Sequence, residues 1–203
     1  MISTFTGGIA ATNGYLLELP GGKLLIDAPE GITDWLKRRD FTPSAVFLTH
    51  QHFDHVMDAA KVKAAFGCPL IAWAPYSRDL TLETLFGMAT GSTMSVPPYE
   101  IDQVIGGQTS IELWGLNWSV FHIPGHSPDS ACIYHALQNL LFAGDVLFQG
   151  SIGRTDFPGG SMETLVTGIQ RDLWPLPDST TVYPGHGDPT TIGEEREMNP
   201  YCS

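Results

Sequence analysis

The sequence predicts a mixed α/β fold contained in a single domain spanning residues 1–203. Two observations carry that expectation. Short apolar runs recur along the chain, each ended by Gly, Pro, Asp or His, as strands are. Between two of them lies a segment of good helix formers with a clear stop, giving strand, helix, strand in order. With 42% hydrophobic and 10% aromatic residues, the 203-residue chain can bury one substantial core.

In chain order, residues 15–19 and 23–26 read as a hairpin around Pro20-Gly21-Gly22. Residues 45–49 read as a buried strand. A helix over 56–66 ends at Gly67, with Pro69 two residues on. A strand follows at 70–74. Residues 76–91 have helical composition, and Gly91-Ser92-Thr93 and Pro97-Pro98 then make a loop. Further strands fall at 109–113, 118–123, 131–134, 140–143 and 181–183. Ser161 caps a helix running to Leu173, with Glu163 at its positive end. A short helix at Ile192–Met198 closes the chain.

Charge excludes some functions. Twenty-two acidic residues against 10 basic ones give a net charge of −12. Such a surface repels phosphate backbones, so no nucleic-acid partner is expected. No stretch approaches the ~20 apolar residues of a membrane span, and no membrane partner is expected. The N-terminal segment lacks a basic leader and is broken by Gly7, Gly8, Asn13 and Gly14. Three cysteines at no zinc-ribbon spacing argue against a disulfide framework, so a reduced cytoplasmic setting is expected. Oligomeric state leaves no mark in the sequence.

The histidines are more telling. Thr49-His50-Gln51-His52-Phe53-Asp54-His55 follows a strand and precedes a helix. In extended chain His50 and His52 point the same way, and the turn into the helix can aim Asp54 and His55 at the same point. Three further places repeat one pattern: a strand ends, a glycine follows, then a polar residue. They are Gly125-His126, Gly144-Asp145 and Gly185-His186. Strand ends are where α/β sheets present functional groups, and glycine lets the backbone turn sharply there. Taken singly each is an ordinary turn; beside the histidine cluster they become its missing ligands. Imidazole and carboxylate suit zinc, iron or manganese, and thiolates are absent from the set. His122, two residues before Pro124, and His135, closing a strand, read as structural histidines.

These motifs, with Gly150-Ser-Ile-Gly-Arg-Thr-Asp-Phe-Pro-Gly-Gly160 and Tyr183-Pro-Gly-His-Gly-Asp-Pro-Thr-Thr191, resemble the metallo-β-lactamase superfamily. Within it they look like the short, single-domain bacterial glyoxalase II-like hydrolases. The resemblance implies an αββα sandwich with a two-metal site, most readily zinc, with iron or manganese as alternatives. It assigns His50, His52 and His126 to the first metal and Asp54, His55 and His186 to the second, with Asp145 bridging. Asp27, in Leu-Ile-Asp-Ala-Pro, matches an acidic position that orients a ligand from behind.

The implied chemistry is hydrolysis of a small anionic thioester such as S-D-lactoylglutathione. Two divalent ions share a water and bring its pKa from 15.7 to about 7. Asp54 orients that water and takes its proton. Arg154, in the glycine-rich loop after Asp145, is the best-placed cation for an anionic substrate on so acidic a protein, unless it only ties its loop to Asp156. Two features depart from full-length glyoxalase II. The chain is expected to lack its C-terminal helical domain, and Gly187-Asp188-Pro189 stands where that family has a tyrosine after the last Gly-His. The rival readings are a mononuclear-iron persulfide dioxygenase, a lactonase, a β-lactamase, a tRNA-processing nuclease and a non-catalytic metal-binding protein. A bridging Asp145 argues against a β-lactamase, and the acidic surface against RNA.

Overall fold

The computed structural model describes residues 1–91 and 93–202; Ser92, in the predicted loop, and Ser203 lie outside the described residues. The chain divides into two compact units, Met1–Ile105 and Gly106–Ser203, each built on its own six-stranded sheet.

In the first unit the strands stand in chain order: β1 (Ile2–Gly7), β2 (Thr12–Leu19), β3 (Gly22–Ile26), β4 (Ala45–Leu48), β5 (Leu70–Ala72) and β6 (Gln103–Val104). β1 to β3 form an antiparallel meander containing the predicted hairpin, with Leu19 opposite Gly22 across its turn. β3 to β6 run parallel. All four residues of β4 are buried, as a strand covered on both faces requires. Helix α1 (Ile32–Arg38) buries Ile32, Trp35 and Leu36, and Trp35 rests between the rings of Phe5 and Phe41. Leu16, Leu25, Val46, Leu48, Val62 and Leu70 join this core, each side chain worth ~1.5–3 kcal/mol of burial.

Two helical expectations need correction. The helix expected over 56–66 starts later, as α3 (Ala59–Phe66), and a separate short helix, α2 (Phe53–Val56), ends where it was expected to begin. The cause is Asp58: its N–H donates to Ala28 O at 2.9 Å, and its carboxylate accepts the Gly31 and Thr33 amides at 3.0 and 3.1 Å. Residues 76–91 split into α4 (Arg78–Thr81) and α5 (Glu83–Thr90), because Leu82 between them takes φ 54°. The stop at Gly67, with φ 65°, is as expected.

The second unit contains β7 (Ser110–Leu113), β8 (Leu116–His122), β9 (Ala131–His135) and β10 (Leu140–Gly144). A two-stranded ribbon, β11 (Leu147–Phe148) and β12 (Ser151–Ile152), follows, then β13 (Thr181–Pro184) and β14 (Thr190–Thr191). The sheet order is β14-β13-β10-β9-β8-β7, with β10 and β13 parallel and the other neighbours antiparallel. Ser161 Oγ accepts the Thr164 amide and starts α6 (Met162–Gly168), which passes into a π-helical turn over Ile169–Leu173. Leu165, Ile169 and Leu173 pack with Ile123, Leu141 and Val182. Thr191 caps α7 (Ile192–Met198), the expected short helix.

Candidate metal centre

In the first unit the ligand candidates sit where the parallel strands β3 and β4 end. Asp27 follows β3 with φ 57°, the left-handed region that an aspartate tolerates better than most residues. Its N–H donates to Phe47 O, which locks it beside β4. The buried carboxylate accepts the Thr49 amide at 2.7 Å, the Thr49 hydroxyl at 2.8 Å and His55 Nδ1 at 2.8 Å. Because the Thr49 hydroxyl spends its proton on Asp27, its oxygen is left to accept from His50 Nδ1 at 3.2 Å. Both imidazoles therefore carry their proton on Nδ1 and present Nε2 as a lone pair. The rings of His50 and His52 stand 4.5 Å apart, and those of His50 and His55 4.1 Å apart. Asp54 Oδ2 lies 3.5 Å from His55 Nε2 and accepts the Thr12 hydroxyl at 2.7 Å. His50, His52 and His55 are buried, and Asp54 is nearly so.

In the second unit three strand ends supply the candidates. Gly144 and Gly185, at the ends of parallel β10 and β13, are joined by a Gly185 N–H to Gly144 O bond of 2.8 Å. That bond sets Asp145 and His186 side by side. Gly125 takes φ 130°, and a Cβ there would meet Ser161 O at 2.6 Å, so only glycine can turn the chain out of β8 toward His126. The expected sharp turn thus holds at Gly125 and at Gly144 (φ 51°), whereas Gly185 takes no positive φ. Asp145 Oδ2 lies 3.4 Å from His126 Nε2 and 3.4 Å from His186 Nε2. His126 Nδ1 donates to the backbone carbonyl of Arg154 at 2.8 Å, leaving Nε2 toward Asp145.

These separations have a simple meaning. Two atoms bound at ~2.1 Å to one tetrahedral ion stand about 3.4 Å apart. The Asp54–His55, Asp145–His126 and Asp145–His186 pairs all have that spacing. One oxygen of Asp145 thus faces two imidazole nitrogens at once. Imidazole nitrogens and carboxylate oxygens suit a divalent ion. The thiols stand apart from both sets: Cys68, Cys132 and Cys202 are buried, and desolvation raises all three, Cys202 to about 11.

The Arg154 guanidinium is exposed and grips Asp156 at 2.7 and 2.6 Å, over the ring of Phe157. That ion-paired hydrogen bond holds the Asp156 carboxyl at about 2. His122 Nε2 meets Pro128 O at 2.9 Å, and buried His135 lies against Trp118. Sequence reasoning missed the hydroxyl of Thr12 and the carbonyl of Arg154. The first gave no signal, and the second is a backbone group that any residue could supply.

Residues 7–186 match the metallo-beta-lactamase superfamily, and the chain belongs to it. The expected mixed α/β fold is the one found, and the protein is of the metal-dependent hydrolase type. It is 36% identical over 187 residues to the hydroxyacylglutathione hydrolase GloC of Haemophilus influenzae, covering 91% of this chain and 85% of that one. Among solved structures it is similar to the B3 metallo-beta-lactamase BLEG-1 (35% identity, 100% of both chains, TM-score 0.88). It is also similar to TTHA1623 in a di-iron-bound form (35% identity, 98% of this chain and 99% of that one, TM-score 0.83). ETHE1 from Myxococcus xanthus follows at 27% identity, 98% and 83% coverage, and TM-score 0.75. Among the described residues no helix is long and apolar enough to cross a membrane.

Proposed function

We propose that this chain is a glyoxalase II-like thioesterase, a single catalytic domain that hydrolyses S-D-lactoylglutathione or a related hydroxyacyl thioester in the cytoplasm. The observation that carries the reading is Asp145, whose one oxygen stands 3.4 Å from the Nε2 atoms of both His126 and His186. In this reading His50, His52 and His126 hold one divalent ion, Asp54, His55 and His186 hold a second, and Asp145 is common to both. Zinc is the first choice, with iron or manganese as alternatives. When bound, the ions supply a water acidified to near neutrality and a Lewis acid for the carbonyl oxygen. The hydrogen bond from Thr12 holds Asp54 in place to orient the water and accept its proton. Because a thiolate is a good leaving group, no strong general acid is demanded. Arg154 is the candidate contact for an anionic group of the substrate. Similarity to GloC supports the thioester as substrate class. No nucleic-acid or membrane partner belongs to this reading.

The deciding experiment is hydrolysis of S-D-lactoylglutathione by the purified protein, with bound metal quantified on the same sample and a chromogenic β-lactam run alongside. Chelator-sensitive thioester turnover with two metals per chain is expected. A folded, metal-loaded protein that leaves the thioester intact would overturn the assignment. A mononuclear-iron persulfide dioxygenase is the second reading, favoured by the similarity to ETHE1. One iron per chain with sulfite formed from a glutathione persulfide would establish it.

A further inference from the structure

We infer that Glu195 and Asn199, which lie outside every ligand set, are positioning residues for His126, Asp145 and His186, acting through the β11–β12 ribbon. The inference rests on the proposed reading of those three residues as ligands. The ribbon begins two residues after Asp145 and is followed at once by Gly153-Arg154, and the Arg154 carbonyl accepts from His126 Nδ1. On its first strand the Phe148 ring stands 6.1 Å from that of His186. The ribbon therefore borders every candidate ligand of its unit.

By itself such a ribbon is weak. Its two strands pair only Leu147 with Ile152 and Phe148 with Ser151, and an isolated two-stranded hairpin is marginal in water. Its tip is held from α7. Glu195 Oε2 accepts the Gly150 amide at 2.9 Å and Asn199 Nδ2 at 2.8 Å, while Glu195 Oε1 accepts the Thr190 hydroxyl at 2.6 Å. Asn199 Nδ2 also donates to Ser151 O at 3.1 Å. Glu195 is 4% exposed and Asn199 1%. A carboxylate so buried costs free energy unless donors fill its oxygens, and the donors to Glu195 come from the ribbon tip, from β14 and from Asn199.

The far end of the ribbon has no slack. A Cβ on Gly153 would lie 2.0 Å from Asp145 O and 2.9 Å from His126 Cβ. A tip released from α7 therefore passes its displacement to the Arg154 carbonyl and so to the His126 ring.

The role needs the shape of Glu195 and not its charge, which makes a clean pair of variants. In Glu195→Gln the amide oxygen can accept from Gly150 and Asn199 while the NH2 donates to Thr190 Oγ1; Glu195→Ala can do neither. Zinc titration of the metal-stripped chain against a chromophoric chelator reads affinity, and 15N NMR of the metal-free chain reads the His126 Nδ1–H. We expect E195A to weaken zinc binding about tenfold and to move the His126 signal, and E195Q to stay close to wild type. An E195A protein that melts lower yet keeps wild-type zinc affinity and an unmoved His126 signal would overturn the proposal. Should E195A not fold, Asn199→Ala keeps the Gly150 and Thr190 bonds and is read in the same way. A wild-type chain that binds no zinc would count against the ligand reading, while the NMR signal still decides on the ribbon.

Discussion

Asp27 sets the tautomer of His55 directly, through a 2.8 Å contact with Nδ1, and that of His50 at one remove, through the Thr49 hydroxyl. Asp27→Asn is therefore diagnostic. Asparagine tolerates the same left-handed backbone, so only the side-chain chemistry changes. An NH2 facing Thr49 and His55 puts the His55 proton on Nε2, and the opposite amide orientation sets it against the Thr49 N–H. Metal affinity should fall about 10- to 100-fold by calorimetric titration, as it does when a histidine ligand loses the carboxylate behind it. Unchanged affinity would show that Asp27 only braces β3 against β4.

Asp58 gives a contrast between a buried and an exposed partner. It accepts two backbone amides and also pairs with Lys61, which is exposed. Asp58→Ala strands the Gly31 and Thr33 donors and should cost about 2–3 kcal/mol in urea unfolding. Lys61→Ala removes a surface ion pair and should cost under ~1 kcal/mol. Equal losses would mean that the ion pair, not the amide latch, fixes the break between α2 and α3.

Burial holds His135 below the ordinary histidine range. The folded chain therefore holds this proton less tightly than the unfolded chain, which takes it up near pH 6.5. Its contribution is thus present above that pH and lost as the pH falls below it, with a slope of at most about 1.4 kcal/mol per pH unit. His135→Phe keeps a ring against Trp118 and should flatten the acid side of the stability curve. A curve identical to wild type between pH 6.5 and 5 would refute this.

Arg154 divides its work between backbone and side chain. Arg154→Ala keeps the carbonyl that orients His126, so metal content should hold. Loss of a charge-assisted contact to an anionic substrate should raise KM about tenfold with kcat unchanged. Asp156→Asn releases the guanidinium and should lower KM. If neither variant moves KM, the Arg154–Asp156 pair serves its own loop alone.

The parts of this molecule that were legible in the sequence are those whose cause is local. The spacing from His50 to His55 and the Gly-His and Gly-Asp pairs state their geometry within a few residues. So do the cap at Ser161 and the stop at Gly67. What escaped has a distant cause. The break at Met57-Asp58 depends on amides at Gly31 and Thr33, some 25 residues away. β1 went unread because its side chains alternate between exposed and half-buried without a strong apolar run. The β11–β12 ribbon has strands of two residues, too short for any periodicity, and the donor from Thr12 to Asp54 crosses 42 positions.

The burial of Cys68, Cys132 and Cys202 has a consequence for an enzyme that discharges a thiol, as proposed. Each turnover releases a mercaptan beside the protein, and its oxidised dimer would exchange with any accessible thiolate. Here desolvation keeps all three sulfurs protonated and out of reach. On the proposed reading, the oxidised dimer of the released thiol would therefore find no accessible thiolate on this protein with which to exchange.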